Sequence, residues 1–539
     1  MRYLTSLDVV VLFVYFAITM VIGLYFARRE QTGSDYFLAG RNIGWLAIGC
    51  SLFATNISSE HFIGLAGTGA SSGLAVGHIE WMASFILLFL GWFLAPLYLK
   101  SGVYTMPEFL EMRYNRSCRI YLTTISIIAY IMTKISVTLY AGGLLLNLIL
   151  GWDMLTSACV MVVLAGIYTI AGGMKAVIYT EVIQTVMLII GATVLTLLGL
   201  KEIGGFSGLK ATLPADYFHM FKPASDPYFP WTGIIFGAPI LAIWYWCTDQ
   251  VIIQRVLSAR NAQQARRGTI LAGFFKILPV FILILPGMIA LALFPGTKGD
   301  EAYPTLVISY LLPSGVRGIV VTSLLAAMMS SLASVFNSSS TMLTMDFYKH
   351  YRPNASDHEL VLIGRLATTI MVVIGILWIP LIRNISSHLF IYLQSLQAYI
   401  SPPIAAVFLL GILSSRVNSK GAVVTLIGGG LLGAFRLILE IASKKGLLTL
   451  EGLQWLARMN YLHFAILLFV ISGLTLFLVS YLSGNPESNR ITNIILTNNQ
   501  NRKSLAAKIG WSGERADKYN LIFSIILILT IFSLWWLFF

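Results

Sequence analysis

Apolar runs of roughly twenty residues, separated by short polar stretches, recur along the whole chain. About fourteen are long enough to cross some 30 Å of hydrocarbon: 6–27, 44–70, 74–99, 120–148, 153–171, 175–200, 231–254, 268–295, 315–345, 360–382, 387–413, 419–441, 460–482 and 519–538. Two of them are interrupted by polar side chains. Ser51 to Ala70, SLFATNISSEHFIGLAGTGA, holds Thr55, Asn56, Ser58, Ser59, Glu60 and His61 between apolar flanks, and the seventh run holds Trp244 to Gln250, WYWCTDQ. An unpaired polar group in hydrocarbon costs several kcal/mol, so both segments face protein or water. Gly64, Gly67 and Gly69 permit close backbone approach, and a helix broken at mid-membrane frees carbonyls and amides for ions and small polar solutes. The other reading of the first segment is a tightly packed helix with Gly and Ser at its interface.

The two interruptions lie five runs apart, in the second and the seventh. That is the spacing of two five-helix halves, each opening on a broken helix, and an odd number of spans per half forces opposite orientations in the bilayer. The expected fold is all-α and polytopic. It divides into a first span and loop (1–43), a first repeat (44–200), an outer loop (201–230), a second repeat (231–413) and three peripheral spans (414–539) with a polar cytoplasmic linker at 483–518.

Composition supports the membrane assignment. The 539 residues are 57% hydrophobic and 11% charged, against roughly 25% charged in soluble domains. A net charge of +13 comes from Lys and Arg scattered singly, with no basic patch interleaved with aromatics, which excludes a nucleic-acid partner. Placing the amino terminus outside puts about 23 of the 36 Lys and Arg on the cytoplasmic side, led by Arg28/Arg29/Arg41, Arg113/Arg116/Arg119, Arg255/Arg260/Arg266/Arg267 and the 484–518 tail. The expected location is a plasma membrane, or the inner membrane of a bacterium. Cys50, Cys118, Cys159 and Cys247 show neither a disulfide framework nor metal-ligand spacing. No catalytic or phosphate-cradling motif is present, so an enzyme is not expected. The sequence leaves the oligomeric state open.

A few intramembrane polar residues carry the candidate chemistry. Lys276, in LAGFFKILPVF, costs roughly 2.5–3.5 kcal/mol at a helix centre and needs a partner or a cavity. Glu80, in GHIEWMASF, is the acidic candidate. Together they present a cationic donor and a carboxylate acceptor suited to the hydroxyls of a neutral solute; a buried ion pair fixing helix register is the alternative. Gln394 offers donor and acceptor on one side chain, and equally serves as interhelical glue. Tyr245, between Trp244 and Trp246, offers a flat surface for a sugar ring. Ser330 and Ser331 lie among small residues, and two hydroxyls plus carbonyls freed by the broken second run make an oxygen cage for a hard cation; small-residue packing is the alternative. Lys134 and Glu181 stay without an assigned role.

Taken together, SLFATNISSEHFIGLAGTG, IWYWCTDQVIIQR, YTIAGGMKAV, MMSSLASVFNSSSTMLTMDFYK, SPPIAAVFLLGI and SSRVNSKGAV resemble the sodium/solute symporter family, in its sodium/glucose branch. The resemblance covers nearly the whole chain. It implies the five-plus-five inverted repeat of the amino-acid transporter superfamily, with one span before and three after. It implies sodium at the carbonyls of Ala54, Ile57 and Ala327 and the hydroxyls of Ser330 and Ser331. Sugar contacts fall on Asn56, His61, Glu80, Lys276 and Gln394, with Tyr245 as inner gate and Phe390 as an outer-gate aromatic. Ala83 and Ala242 replace polar sugar contacts of the bacterial galactose carriers, whereas His61 matches the animal-type glucose carriers. Ala333 lacks the hydroxyl of two-sodium members, which favours one sodium per sugar, and Glu181 stands where many members carry Asp.

The implied activity is sodium-driven import of a glucose- or galactose-like monosaccharide across a lipid bilayer. Competing readings are a sodium symporter for inositol, a monocarboxylate or another small solute, and a passive sugar channel or sensor.

Overall fold

In the computed structural model, residues 4–27, 32–297, 299–378, 389–448, 450–484 and 515–539 are described; most of the expected 483–518 linker lies outside them, as do Arg28 and Arg29. Among these residues eleven helices are long and apolar enough to cross a membrane, or twelve if a bent pair is one span. In chain order, with one shorter apolar helix (α2) added, the helices are α1 (Ser6–Phe26), α2 (Trp45–Asn56), α3 (Glu60–Ser101), α4 (Arg116–Asn147), α5 (Met154–Glu202), the bent pair α6 (Trp231–Cys247) and α7 (Gln250–Leu257), α8 (Ala262–Leu293), α9 (Val316–Tyr351), α10 (Asp357–Trp378), α11 (Phe390–Leu413), α12 (Ser419–Lys444), α13 (Tyr461–Leu482) and α14 (Arg515–Leu537).

Two of these helices are far longer than a bilayer requires. At about 1.5 Å per residue, α3 with 42 residues and α5 with 49 each exceed twice the hydrocarbon thickness or come close to it. Each contains a glycine in the left-handed region, Gly73 (φ 68) and Gly173 (φ 47). These fall where the hydropathy pattern separates 44–70 from 74–99 and 153–171 from 175–200. A side chain is excluded twice over at Gly73, because a Cβ there would lie 2.2 Å from the Tyr217 carbonyl oxygen.

Local sequence fixes several helix starts. Asn115, Asp153, Asn261 and Asn418 each accept a hydrogen bond from an amide in the following first turn, at 2.9–3.1 Å, satisfying donors that no intrahelical carbonyl reaches.

The bundle is centred on α9, whose apolar window is 94% buried, against 17% for α1 and 22% for α14. Helices α1, α2, α4, α5 and α10 pack around it. Such burial suits α9 because its middle is small and hydroxylated, MMSSLASVFNSSSTM, which lets neighbouring backbones approach.

Charge placement differs from the loop-based reading at three arginines, of which Arg113 is buried and donates to the Gly411, Ser414 and Val417 carbonyls. Arg255 and Arg266 are fully buried, paired with Glu181 at 3.0 Å and with Asp517 at 2.8 Å. The second pair ties α14 to α8, and the Arg266 guanidinium also lies 4.1 Å from the centre of the Trp92 ring. The last helix is thereby anchored to the bundle. The 204–231 segment covers the bend at Gly73: the Tyr217 hydroxyl donates to the Ala70 carbonyl at 3.2 Å, and the Met220 amide donates to the Phe538 carbonyl at 2.9 Å.

Candidate functional site

Both polar interruptions coincide with breaks in helical structure. Helix α2 ends at Asn56, with Ile57 extended (φ −77, ψ 105), and the chain resumes as a wide π-type turn over Glu60–Leu65. Such turns re-aim side chains and are frequent at functional sites. The second break lies between α6 and α7, which meet at 50°. There Asp249 accepts from the Val251 amide at 3.1 Å and caps α7. A third loosening falls in α8, where Pro279, which has no amide hydrogen, follows non-helical residues at Lys276–Ile277.

Around the first two breaks the expected solute-contacting residues converge. The buried Lys276 ammonium pairs with the buried Glu80 carboxylate and donates to Asn56 Oδ1 at 2.6 Å. Asn56 Nδ2 in turn donates to the Tyr245 hydroxyl at 3.1 Å. His61 Nε2 stands 3.6 Å from the other Glu80 oxygen, and its ring meets Phe390 edge-on with centroids 6.3 Å apart. Gln394 completes the lining of the same cavity, of about 60 Å³. All of the sugar and gate candidates, Asn56, His61, Glu80, Tyr245, Lys276, Phe390 and Gln394, therefore face one space.

Three further polar or aromatic residues line it: Glu60, Trp246 and Gln397. Sequence signals existed for each. Glu60 adjoins His61, Trp246 adjoins Tyr245, and Gln397 follows Gln394 by three residues, one helical turn on the same face. The cavity so offers an ammonium and amide donors opposite carboxylate and amide acceptors, beside aromatic surfaces. Such a set binds a neutral polyhydroxylated solute through its hydroxyls, which both donate and accept.

Beneath Tyr245 lies a second buried cluster. The Lys134 ammonium is 4.8 Å from the Tyr245 ring centre and 2.5 Å from Asp249 Oδ2, and the Tyr130 hydroxyl donates to Asp249 Oδ1. Lys134, unassigned from sequence, is thus one side of an ion pair that joins α4 to the α6–α7 break.

The residues expected to hold a cation lie where α2 crosses α9. The Ser330 hydroxyl donates to the Ala54 carbonyl at 2.9 Å. Ser331, its neighbour, has a buried hydroxyl with no hydrogen-bond partner among the described residues, and buried polar atoms are normally paired. Ile57 sits at the α2 terminus, where helical carbonyls lose their partners; Ala327 is buried one turn before Ser331. Alongside runs a network centred on Glu181, which accepts from Ser51, from Thr55 at 2.8 Å and from Ser334 at 2.5 Å, in addition to Arg255. Ser334 follows Ala333 directly, so a hydroxyl is present one residue beyond the position that lacks one. Its engagement with Glu181 and Arg255 was not legible in sequence.

Interrupted helices crossing at mid-bundle around a buried polar cavity define a multi-pass membrane protein of the transporter kind. Residues 36–429 match the sodium:solute symporter family, and the chain belongs to that family. Among its relatives, sodium/glucose cotransporter 1 of Mus musculus is 41% identical over 528 residues, covering 89% of this chain and 79% of the relative. Sodium/glucose cotransporter 4 of Homo sapiens is 40% identical over 533 residues, covering 91% and 78%. Among solved structures, a substrate-bound, outward-open Na+-coupled sialic acid symporter superposes with a TM-score of 0.76 at 22% identity, over 89% of this chain and 99% of its own. A nucleobase-cation-symport-1 family transporter in a closed conformation gives 0.54 at 15% identity, over 92% and 99%. These likenesses show the fold, the inverted-repeat bundle with broken helices implied by the sequence.

Proposed function

We propose that this protein is a sodium-coupled symporter that imports a glucose- or galactose-like monosaccharide by alternating access. The reading rests on one observation above others: Lys276, Glu80 and Asn56 form a charged, mutually hydrogen-bonded cluster at the meeting of two broken helices, in a chain about 40% identical to sodium/glucose cotransporters. Asn56, His61, Glu80, Lys276 and Gln394 bind the sugar hydroxyls. Tyr245 closes the inner side and Phe390 the outer side. Sodium is held by the carbonyls of Ala54, Ile57 and Ala327 and the hydroxyls of Ser330 and Ser331. The amino terminus lies outside, and the repeats run over 44–200 and 231–413.

Coupling follows from chain connectivity. Ala54 and Ile57 flank Asn56 within four residues, so a cation that steadies the end of α2 also orders a sugar ligand. Each solute raises the affinity for the other by the same factor. One charge crossing 100 mV supplies about 2.3 kcal/mol, and a tenfold sodium gradient adds about 1.4. One sodium per sugar then sustains an accumulation of several hundredfold, in order of magnitude.

The test is uptake of labelled glucose, galactose and myo-inositol into proteoliposomes, with and without an inward sodium gradient. Sodium-driven accumulation of one hexose, lost in Lys276→Ala, is the expected result. Equilibration without accumulation would replace symport by facilitated diffusion, and accumulation of myo-inositol alone would move the substrate to that polyol.

A further inference from the structure

A second cavity, which shares no lining residue with the first, lies between α8 and α14, with a volume of about 560 Å³. Its walls are Trp45, Ile270, Phe274 and Phe523, with Arg267, Tyr519 and Asn520 at one end. Trp45 opens α2, Arg267 follows the cap of α8 by six residues and Tyr519 lies in the first turns of α14. Three helix starts thus meet at one face of the bundle. Trp45 is 40% and Tyr519 60% exposed, the placement of aromatic residues at a membrane–water interface. Phe274 lies seven residues along α8 from Arg267, about 10 Å deeper.

Two polar groups in this groove have no partner among the described residues. Arg267 makes no ion pair or hydrogen bond among the described residues, although its neighbour Arg266 is engaged by Asp517. Asn520 is 3% exposed, and its Nδ2 has no hydrogen-bond partner among them. A guanidinium at interface depth, a buried amide donor just inside it and an apolar channel running inward match, in that order, the phosphate, ester carbonyl and acyl chain of a phospholipid.

We propose that this groove is a binding site for one anionic phospholipid, in the leaflet at the Arg267 end of the bundle. Arg267 holds the phosphate, Asn520 donates to the glycerol-ester region, and an acyl chain lies against Phe274 and Phe523. The chain's own 485–514 segment is a poor occupant, because its charged residues are Glu487, Arg490, Arg502, Lys503, Lys508 and Glu514, a net positive balance facing an arginine. The lipid seals the contact between α14 and α8, the helix that bears Lys276.

The test is native mass spectrometry of the delipidated full-length protein, titrated with phosphatidylglycerol or phosphatidylcholine of identical acyl chains, without sodium or sugar. One phosphatidylglycerol should be retained at least about fivefold more tightly than phosphatidylcholine, the increment of one arginine near an anionic surface. Arg267→Gln should abolish that preference. Phe523→Trp, which fills the channel, should lower retention of both lipids, and soluble glycerol phosphate should not bind. Equal retention of the two lipids, or an unchanged preference in a monodisperse Arg267→Gln protein, would overturn the proposal. So would retention unaffected by both Phe523→Trp and Asn520→Leu. The readout contains no transport step, so it stands apart from the uptake experiment.

Discussion

Glu181 and Arg255 meet at 3.0 Å with neither side chain exposed to solvent, though 74 residues separate them in the chain. Removing one partner of a buried pair leaves an uncompensated charge and costs about 3–5 kcal/mol, whereas removing both charges together costs far less. Arg255→Met alone should therefore lower thermal stability severely, and the double variant Arg255→Met/Glu181→Gln should recover a large part. Thermal unfolding of the purified proteins, followed by tryptophan fluorescence, measures both. A single variant as stable as the parent would show that the pair is not electrostatically closed.

The unpartnered Ser331 hydroxyl makes a sharper prediction about the cation. Ser331→Ala deletes one oxygen without leaving a buried donor unpaired, so the fold should persist. Losing one ligand of about 1–1.5 kcal/mol raises the half-saturating sodium concentration roughly five- to tenfold, while the half-saturating sugar concentration at high sodium stays within twofold. Initial uptake rates across a sodium titration measure this. An unchanged sodium curve would remove Ser331 from the cation site.

Lys134 does not line the cavity of Lys276 and Glu80, yet its ammonium lies over the Tyr245 ring and is held there by Asp249. Lys134→Met strips a charge-assisted hydrogen bond worth about 1.5–3 kcal/mol. Maximal transport rate should fall at least about tenfold, with the half-saturating sugar concentration little changed, and Lys134→Arg should retain much of the rate. A change confined to sugar affinity would instead make Lys134 part of the sugar site.

Close packing gives a prediction independent of charge. A Cβ on Gly287 of α8 would sit 1.8 Å from the Ala66 carbonyl oxygen on α3, and backbone cannot step aside as a flexible side chain can. Gly287→Ala should destabilise the protein by about 1–3 kcal/mol, visible as a lower melting temperature and a lower yield of monodisperse protein. A neutral outcome would mean that the two helices separate readily at this crossing.

These residues also show what a single sequence discloses. Thr55 to His61 and Trp244 to Gln250 were legible because polar side chains inside apolar runs violate the cost of burial, and such violations locate helix breaks. The convergence of Lys276 and Glu80 was legible for the same reason, since each needed a partner and few candidates existed. Arg255, Arg266 and Lys134 were different. Their partners Glu181, Asp517 and Asp249 lie 74, 251 and 115 residues away, and hydropathy places an arginine near a span end without saying whether it turns inward. Ser334 was hidden likewise, because a serine in a small-residue helix has the same local pattern whether it packs or bonds.

The mutual neutralisation of Lys276 and Glu80 determines what the unloaded carrier must move. A lone ammonium at that depth would oppose every return of the empty site across the low-dielectric centre of the bilayer, and a lone carboxylate would do the same. With the two side chains satisfying each other, and Asn56 holding the ammonium, this pair adds no net charge to the site that returns unloaded. Fixed side chains return to their starting place in each full cycle, so a simultaneous record of charge and sugar flux counts the sodium ions carried with each sugar.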